Sequence, residues 1–293
     1  MGDMTTAADA GPTKSTSPDG RRVWVQDRLV SAEEARVSAT DHGLVAGGGV
    51  FESLKVTSDG AFAISRHLAR LSRSAKALGL PEPDHQRVRE AIEAVAAECD
   101  YEVGIVRVTW TGGVGPLGSS AAFGPPTLVV ADAPTPAAPE NTAIVTLPWL
   151  RNERGAMTGI KTTSYAENIR GLGHAHERDA SEGVFVNTAG NVSEGTGANL
   201  FVVLDGEVVT SPLSSGALAG ITRDLVRAWS PVVERDLTLA EAQAADEVFL
   251  TSSLRDVQRV TRWDDRRYAD DGPVVAGLRE LFAERAAADL DPV

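Results

Sequence analysis

Residues Gly183–Pro212 read GVFVNTAGNVSEGTGANLFVVLDGEVVTSP. Short runs rich in Val, Phe and Leu are broken by Asn, Gly and Asp, so GVFVNTAGNVSEG and NLFVVLDGEVVTSP predict strands joined by turns. Working outward, TAIVTLPW (142–149) and ADEVFLTSS (245–253) predict further strands, while SYAENIRGLGHAHERDA (164–180) and TRDLVRAWS (222–230) predict helices. Strands and helices do not alternate regularly. The expected class is therefore α+β, not a doubly wound parallel sheet.

Upstream, APTPAAPE (133–140) carries three prolines in eight residues and is the expected linker. Before it, RRVWVQDRLVSAEEA predicts a hairpin turning at Gln26 to Arg28, and GGGVFESLKVTSDGAFAIS predicts strands around a turn at Ser58 to Gly60. HLARLSRSAKALGL sets Leu68, Leu71, Ala75 and Leu78 on one helical face and stops at Gly79. HQRVREAIEAVAAECD predicts a second helix, and GIVRVTWTGG and PTLVVADA two more strands. Residues 1–20 hold almost no large apolar side chain and are expected to be a disordered tail. The expected division is that tail, a small α+β domain over 21–132, the linker at 133–140 and a larger domain over 141–293.

The chain has 293 residues, 42% of them hydrophobic, long enough to bury two cores. Twenty-eight basic against 41 acidic side chains give a net charge of -13 that is spread along the chain, which argues against nucleic acid or an anionic membrane as partner. The single cysteine, Cys99, can form no internal disulfide, which fits a reducing cytoplasm. The N-terminus lacks the basic start and apolar core of a secretory signal, and no apolar run reaches the roughly eighteen residues of a span. The five histidines show no metal-ligand spacing except His174 and His176, whose two-residue offset points them apart on a helix, so no metal is expected.

Several segments carry chemistry. In LAGITRDLVRAW (218–229) a Gly-Ile-Thr turn enters a helix with Thr222 placed as N-cap; the segment serves either as an ordinary capped helix or as a phosphate cradle of free amides. FLTSSLRD ends a strand in Thr251, Ser252 and Ser253, hydroxyls suited to phosphate oxygens, and Arg70 beside the apolar stripe of its helix offers a cation. Glu194 sits between a strand and a glycine-rich turn, where a half-buried carboxylate needs a positive nitrogen. Lys161, in GIKTTSYAEN, has small neutral neighbours and no adjacent acid, as an amine of lowered pKa requires, with Tyr165 four residues on. An amine for an imine, a carboxylate for a ring nitrogen and a phosphate cradle together match pyridoxal 5′-phosphate.

These pieces, with DHGLVAGGGVFESLKV and VVTSPLSSGALAGITRDLV, make the sequence resemble the class IV aminotransferase family, the fold type IV pyridoxal-phosphate enzymes. The resemblance runs from about residue 23 to 260 in the family's order. It implies the two-domain architecture of D-amino acid aminotransferases, a homodimer, and a cofactor-binding C-terminal domain. It implies that Lys161 forms the internal aldimine and moves the proton on the way to a quinonoid, and that Glu194 holds the pyridinium nitrogen. Arg70, Ile221, Thr222, Ser252 and Ser253 would bind the phosphate, Tyr165 would lie near the phenolic oxygen, and Phe51 and Arg107 would contact substrate. Two departures stand out: Ala46-Gly47-Gly48-Gly49 replaces the family's aromatic residue and Gly-Asp-Gly, and Gln26-Asp27-Arg28 replaces a glycine turn. RVTWTGGVGPLGSS and KTTSYAEN look most like 4-amino-4-deoxychorismate lyases, which release 4-aminobenzoate and pyruvate. The expected activity is this lyase, then a transaminase of branched-chain or D-amino acids, with a non-catalytic binding module third.

Overall fold

The computed structural model of the chain describes residues 21–118 and 123–293; the expected tail at 1–20 lies outside the described residues. The first half builds a six-stranded antiparallel sheet of β1 (Arg22–Val25), β2 (Arg28–Ser31), β3 (Gly49–Thr57), β4 (Gly60–Ala61), β5 (Val103–Thr111) and β6 (Thr127–Pro134). Its order is β2-β1-β6-β5-β3-β4, with α1 (His42–Val45), α2 (Ile64–Ala77) and α3 (His85–Ala96) between strands. Alternation puts Val50, Leu54 and Val56 of β3 on one face, where they meet Leu68 and Leu71 of α2 and Val88 and Ile92 of α3. β6 continues through Ala133 and Pro134, which pair with Ile105 and Gly104, so the connection is shorter than the expected linker. β1 pairs only as far as Val129 and Val130, which leaves the end of β6 an edge where proline's missing N–H is tolerated.

The second sheet comprises β7 (Asn141–Arg151), β8 (Glu182–Asn187), β9 (Val192–Gly195), β10 (Asn199–Leu204), β11 (Glu207–Thr210), β12 (Val233–Glu234), β13 (Glu247–Ser252), β14 (Asp256–Trp263) and β15 (Arg266–Arg267). Its order is β12-β11-β10-β13-β14-β7-β8-β9, with β15 beside β14 and β7 parallel to both neighbours. Four helices join it: α4 (Ala166–His176), α5 (Ile221–Trp229), α6 (Leu239–Gln243) and α7 (Pro273–Ala288). After Asn199, LFVVL is apolar throughout because both faces are covered: Leu200 and Val202 enter one core, Phe201 and Val203 another against α5 and α7. The sequence reading leaves β14 and α7 unassigned, although Pro273 followed by Val275, Leu278 and Phe282 is a legible helix start and stripe. The expected α+β class holds.

Two connections bring the halves together. The segment before α4 hydrogen-bonds to the start of β3, Phe51 N–H donating to the Lys161 carbonyl at 2.9 Å and Thr163 N–H to Gly49 at 2.8 Å. Gly47, at φ +65°, lets Ser164 pack where a Cβ would collide with its hydroxyl. At the other end the C-terminus returns to α2, whose N-cap position, Ala63, offers no side-chain acceptor. Asp291 takes over, accepting from the Ser65 N–H at 2.7 Å and from Arg89 at 3.0 Å. Asp291→Ala is expected to lower stability by about 1 kcal/mol, the usual cost of a lost cap, read as a shift of the denaturant midpoint at constant slope. Burial alone would raise the Asp291 carboxyl, but the Ser65 donors and Arg89 hold it below its ordinary value. The contribution is therefore complete above the unfolded carboxylate range and disappears as pH falls below about 4.

Candidate active site

The two halves enclose a cavity of about 240 Å³. β3 and β5 contribute Phe51 and Arg107, α2 contributes Arg70, and the segment before α4 contributes Lys161 and Tyr165. The second sheet adds Glu194 from β9 and Ser252 and Ser253 from the end of β13, and α5 adds Ile221 and Thr222. All ten residues singled out in the sequence line this one space.

Lys161 points its amine over the Phe51 ring, 4.4 Å from the centroid, and 5.6 Å from that of Tyr165. No carboxylate among the described residues forms an ion pair with it. Burial first, and then the Arg70 cation, bring its pKa from 10.5 down to about 8. At pH 7.5 about a quarter of such an amine is neutral, against about one part in a thousand for an ordinary lysine. Tyr165 stands edge-on to Phe51 and donates its hydroxyl hydrogen to the Thr196 carbonyl at 3.1 Å. Burial raises its pKa, so it remains a neutral phenol.

Glu194 accepts at Oε2 from the Leu218 N–H at 2.9 Å and from Asn199 Nδ2 at 3.3 Å. Its other oxygen lies 3.9 Å from Arg151 Nη2. Burial pushes the Glu194 carboxyl up, opposed by the Arg151 cation and the Leu218 N–H. The sequence reading misses Arg151, the last residue of β7, which lies beyond the apolar run that marks the strand. Its guanidinium lies 4.1 Å over Phe185, and its Nε and Nη2 are buried without hydrogen-bond partners.

At the far end, the N-cap of α5 lies two residues earlier than expected, at Gly220 and not Thr222, and no side chain caps the helix. Asn199 presses so closely that a Cβ at residue 220 would meet its Oδ1 at 2.0 Å, which selects glycine and leaves the first-turn amides of Ile221 and Thr222 open toward the cavity. Arg70 is buried, donating to Glu52 at 2.6 and 2.9 Å and to the Ala219 carbonyl at 3.0 Å. That engages three of its five N–H groups and leaves two for an anion. The Thr251 hydroxyl, also lining the cavity, is buried with no partner. Glu52 and His67, both missed in the sequence, had a signal there: Glu52 shares the inner face of β3 with Val50 and Leu54, and His67 and Arg70 follow the apolar stripe of α2.

These groups fit pyridoxal phosphate from end to end. A helix start with open amides, a buried arginine and an unpaired hydroxyl suit the phosphate, an unpaired low-pKa amine suits the aldehyde, and a carboxylate with one free oxygen suits the ring nitrogen. Among the described residues no group of three or more His, Cys, Asp or Glu could hold a metal. No helix among the described residues is long and apolar enough to cross a membrane.

The family model described as amino-transferase class IV matches residues 49–263. The chain is 30% identical over 292 residues to the D-alanine aminotransferase of Listeria monocytogenes, covering 92% of this chain and 99% of the relative. The branched-chain aminotransferase from Thermoproteus uzoniensis, solved with norvaline, superposes with a TM-score of 0.85 at 27% identity, covering 90% of this chain and 94% of that one. The PLP-bound form of a hypothetical aminotransferase from Mycobacterium tuberculosis superposes with a TM-score of 0.82 at 28% identity, covering 92% and 99%.

Proposed function

From the premise that the chain belongs to the class IV aminotransferase family, pyridoxal-phosphate enzymes of fold type IV, we propose that it is a transaminase of branched-chain or D-amino acids. The observation that carries this reading is the unpaired Lys161 amine between an anion-binding end and the Glu194 carboxylate, in a chain whose relatives are aminotransferases. The expected closeness to 4-amino-4-deoxychorismate lyases finds no support among these relatives.

Bound pyridoxal phosphate supplies an aldehyde that condenses with amines and a ring that draws electron density from the substrate carbon as its proton leaves. Arg70, the amides of Ile221 and Thr222, and the hydroxyls of Ser252 and Ser253 hold the phosphate. Glu194 keeps a proton on the ring nitrogen, with Arg151 opposing protonation of the carboxylate itself. Lys161 Nζ, neutral in a useful fraction near pH 7.5, would be the amine that meets the cofactor's aldehyde and the base that takes the proton from the substrate carbon. Tyr165, anchored to Thr196, presents a neutral phenol beside the amine.

Arg107 takes the substrate. Its guanidinium lies 3.8 Å over Phe51 with no carboxylate partner among the described residues, which suits the carboxylate of an amino or oxo acid. A second cavity of about 240 Å³ adjoins the first across Lys161, Tyr165, Glu194 and Leu218 and gives the amino acid side chain room among Met157, Thr158 and Ser164. We also infer a homodimer. Leu44 in α1 and Leu117, and Leu150 in β7 and Ile169 in α4, are exposed apolar residues, and the segments before β3 and before α4 are tied by Thr163 donating to Gly47. Light scattering is expected to give twice the chain mass. The net charge of -13 is compatible with a cytoplasmic enzyme.

The test of the reaction is a half-turnover. Holoenzyme mixed with L-leucine or D-alanine and no oxo acid is expected to lose its aldehyde absorbance stoichiometrically and release the 2-oxo acid. Return to the aldehyde form with pyruvate made from aminodeoxychorismate would restore the lyase in its place.

A further inference from the structure

Glu52, His67 and Ser253 form a buried line that ends in the phosphate site. The His67 ring is only 1% exposed, with Nδ1 2.7 Å from Glu52 Oε2 and Nε2 3.5 Å from Ser253 Oγ. The charged groups facing it are Glu52 from β3, Arg70 one turn along α2, and Lys161 from the segment before α4. Burial alone would push the Glu52 carboxyl up, but the Arg70 guanidinium and the His67 N–H together hold it at about 2. Glu52 is thus an acceptor at all working pH values, and Nδ1 of His67 carries a hydrogen toward it.

The other ring nitrogen decides what Ser253 can do. In a neutral ring Nε2 is a lone-pair acceptor, so it takes the Ser253 hydroxyl hydrogen and leaves the serine lone pairs facing the cavity. That is the wrong polarity for phosphate oxygens. A protonated ring donates at both nitrogens, so Ser253 accepts from it and is free to donate to an anion. Before an anion arrives, burial and the nearby Arg70 and Lys161 cations oppose the second proton, despite the pull of Glu52. A phosphate dianion supplies the missing counter-charge.

We propose that His67 takes a proton from solvent when the cofactor's phosphate binds, and thereby converts the Ser253 hydroxyl into a phosphate donor. His67 is a positioning residue acting through Ser253, and the inference rests on the assignment of Arg70 and Ser253 to the phosphate. Phosphate affinity is consequently linked to pH, falling by up to about tenfold per pH unit between the two ring pKa values as pH rises.

Nitrogen NMR of the histidine rings tests this directly, since the chain has five histidines. The probe is pyridoxine 5′-phosphate, which has no aldehyde and leaves Lys161 unmodified. In the cofactor-free full chain at pH 7.5 one buried ring is expected to be neutral with its hydrogen on Nδ1. Saturation with pyridoxine 5′-phosphate should protonate both nitrogens of that ring, and pyridoxine without the phosphate should not. The His67→Gln variant assigns the signal and, carrying a neutral amide donor, should bind the ester with no pH slope beyond the ester's own titration. If that variant does not fold, Ser253→Ala, which removes the hydroxyl beside Nε2, assigns the ring instead by the shift of its Nε2 signal in the cofactor-free chain. A ring that remains neutral in the wild-type chain at ester saturation overturns the proton coupling while leaving the phosphate site intact. Failure of the ester to bind more tightly than pyridoxine overturns the phosphate assignment and the proposal with it.

Discussion

Lys161→Ala is expected to lower turnover by about 10⁴-fold or more, because the variant loses both a nucleophile and a proton carrier at one atom. Cofactor should still bind through its phosphate and ring nitrogen, but borohydride should no longer fix it to the protein, as mass spectrometry would show. Turnover within tenfold of wild type would remove Lys161 from the chemistry. The same lysine makes a stability prediction of the opposite sign. An amine held near pH 8 against an ordinary value of 10.5 costs the cofactor-free fold about 3 kcal/mol while both states are protonated. Lys161→Met, which keeps the stem and removes the charge, is therefore expected to melt above the wild-type apoprotein at pH 7. The gap should close as pH rises from 8 to 10.5, because the native state sheds its proton first and wild-type stability climbs.

Glu194→Ala is expected to keep the borohydride-sensitive attachment and lose about 10²- to 10³-fold in turnover, the usual effect of removing one preorganised electrostatic partner. The carboxylate receives two neutral donors at one oxygen and a guanidinium near the other, so a cationic ring nitrogen completes its surroundings. Without it the ring nitrogen faces a dry wall and gives up its proton, and the ring withdraws electron density poorly. The readout is slower exchange of the substrate α-hydrogen with solvent deuterium at an unchanged cofactor content. Wild-type exchange rates in Glu194→Ala would assign the ring nitrogen to another partner.

Much of this was readable before folding because each group announced itself locally. The strands of Gly183–Pro212 follow from apolar runs cut by turn residues, and the uninterrupted LFVVL follows from burial on both faces. Lys161 was marked by a neighbourhood without acids, and α5 by the glycine turn before its apolar stripe. Hydroxyl preference points to Thr222 as N-cap, whereas the close approach of Asn199 admits only glycine at 220. Arg151 gave no sign, since its task depends on Phe185 and Glu194, residues tens of positions away. α7 is legible in Pro273 and the stripe of Val275, Leu278 and Phe282.

By itself, the sequence determined which residue types stand in which order, and through period and turn chemistry it determined the strands, the helices and the family they match. The tertiary structure alone decided which groups share a dielectric and a partner. Lys161 is an ordinary lysine until the crossing to β3 buries it over Phe51 beside Arg70. His67 is one more histidine on an apolar stripe until Glu52 and Ser253 close on its two nitrogens. Proton affinity depends on distance and burial, and these are set by contacts between residues that the chain order keeps far apart.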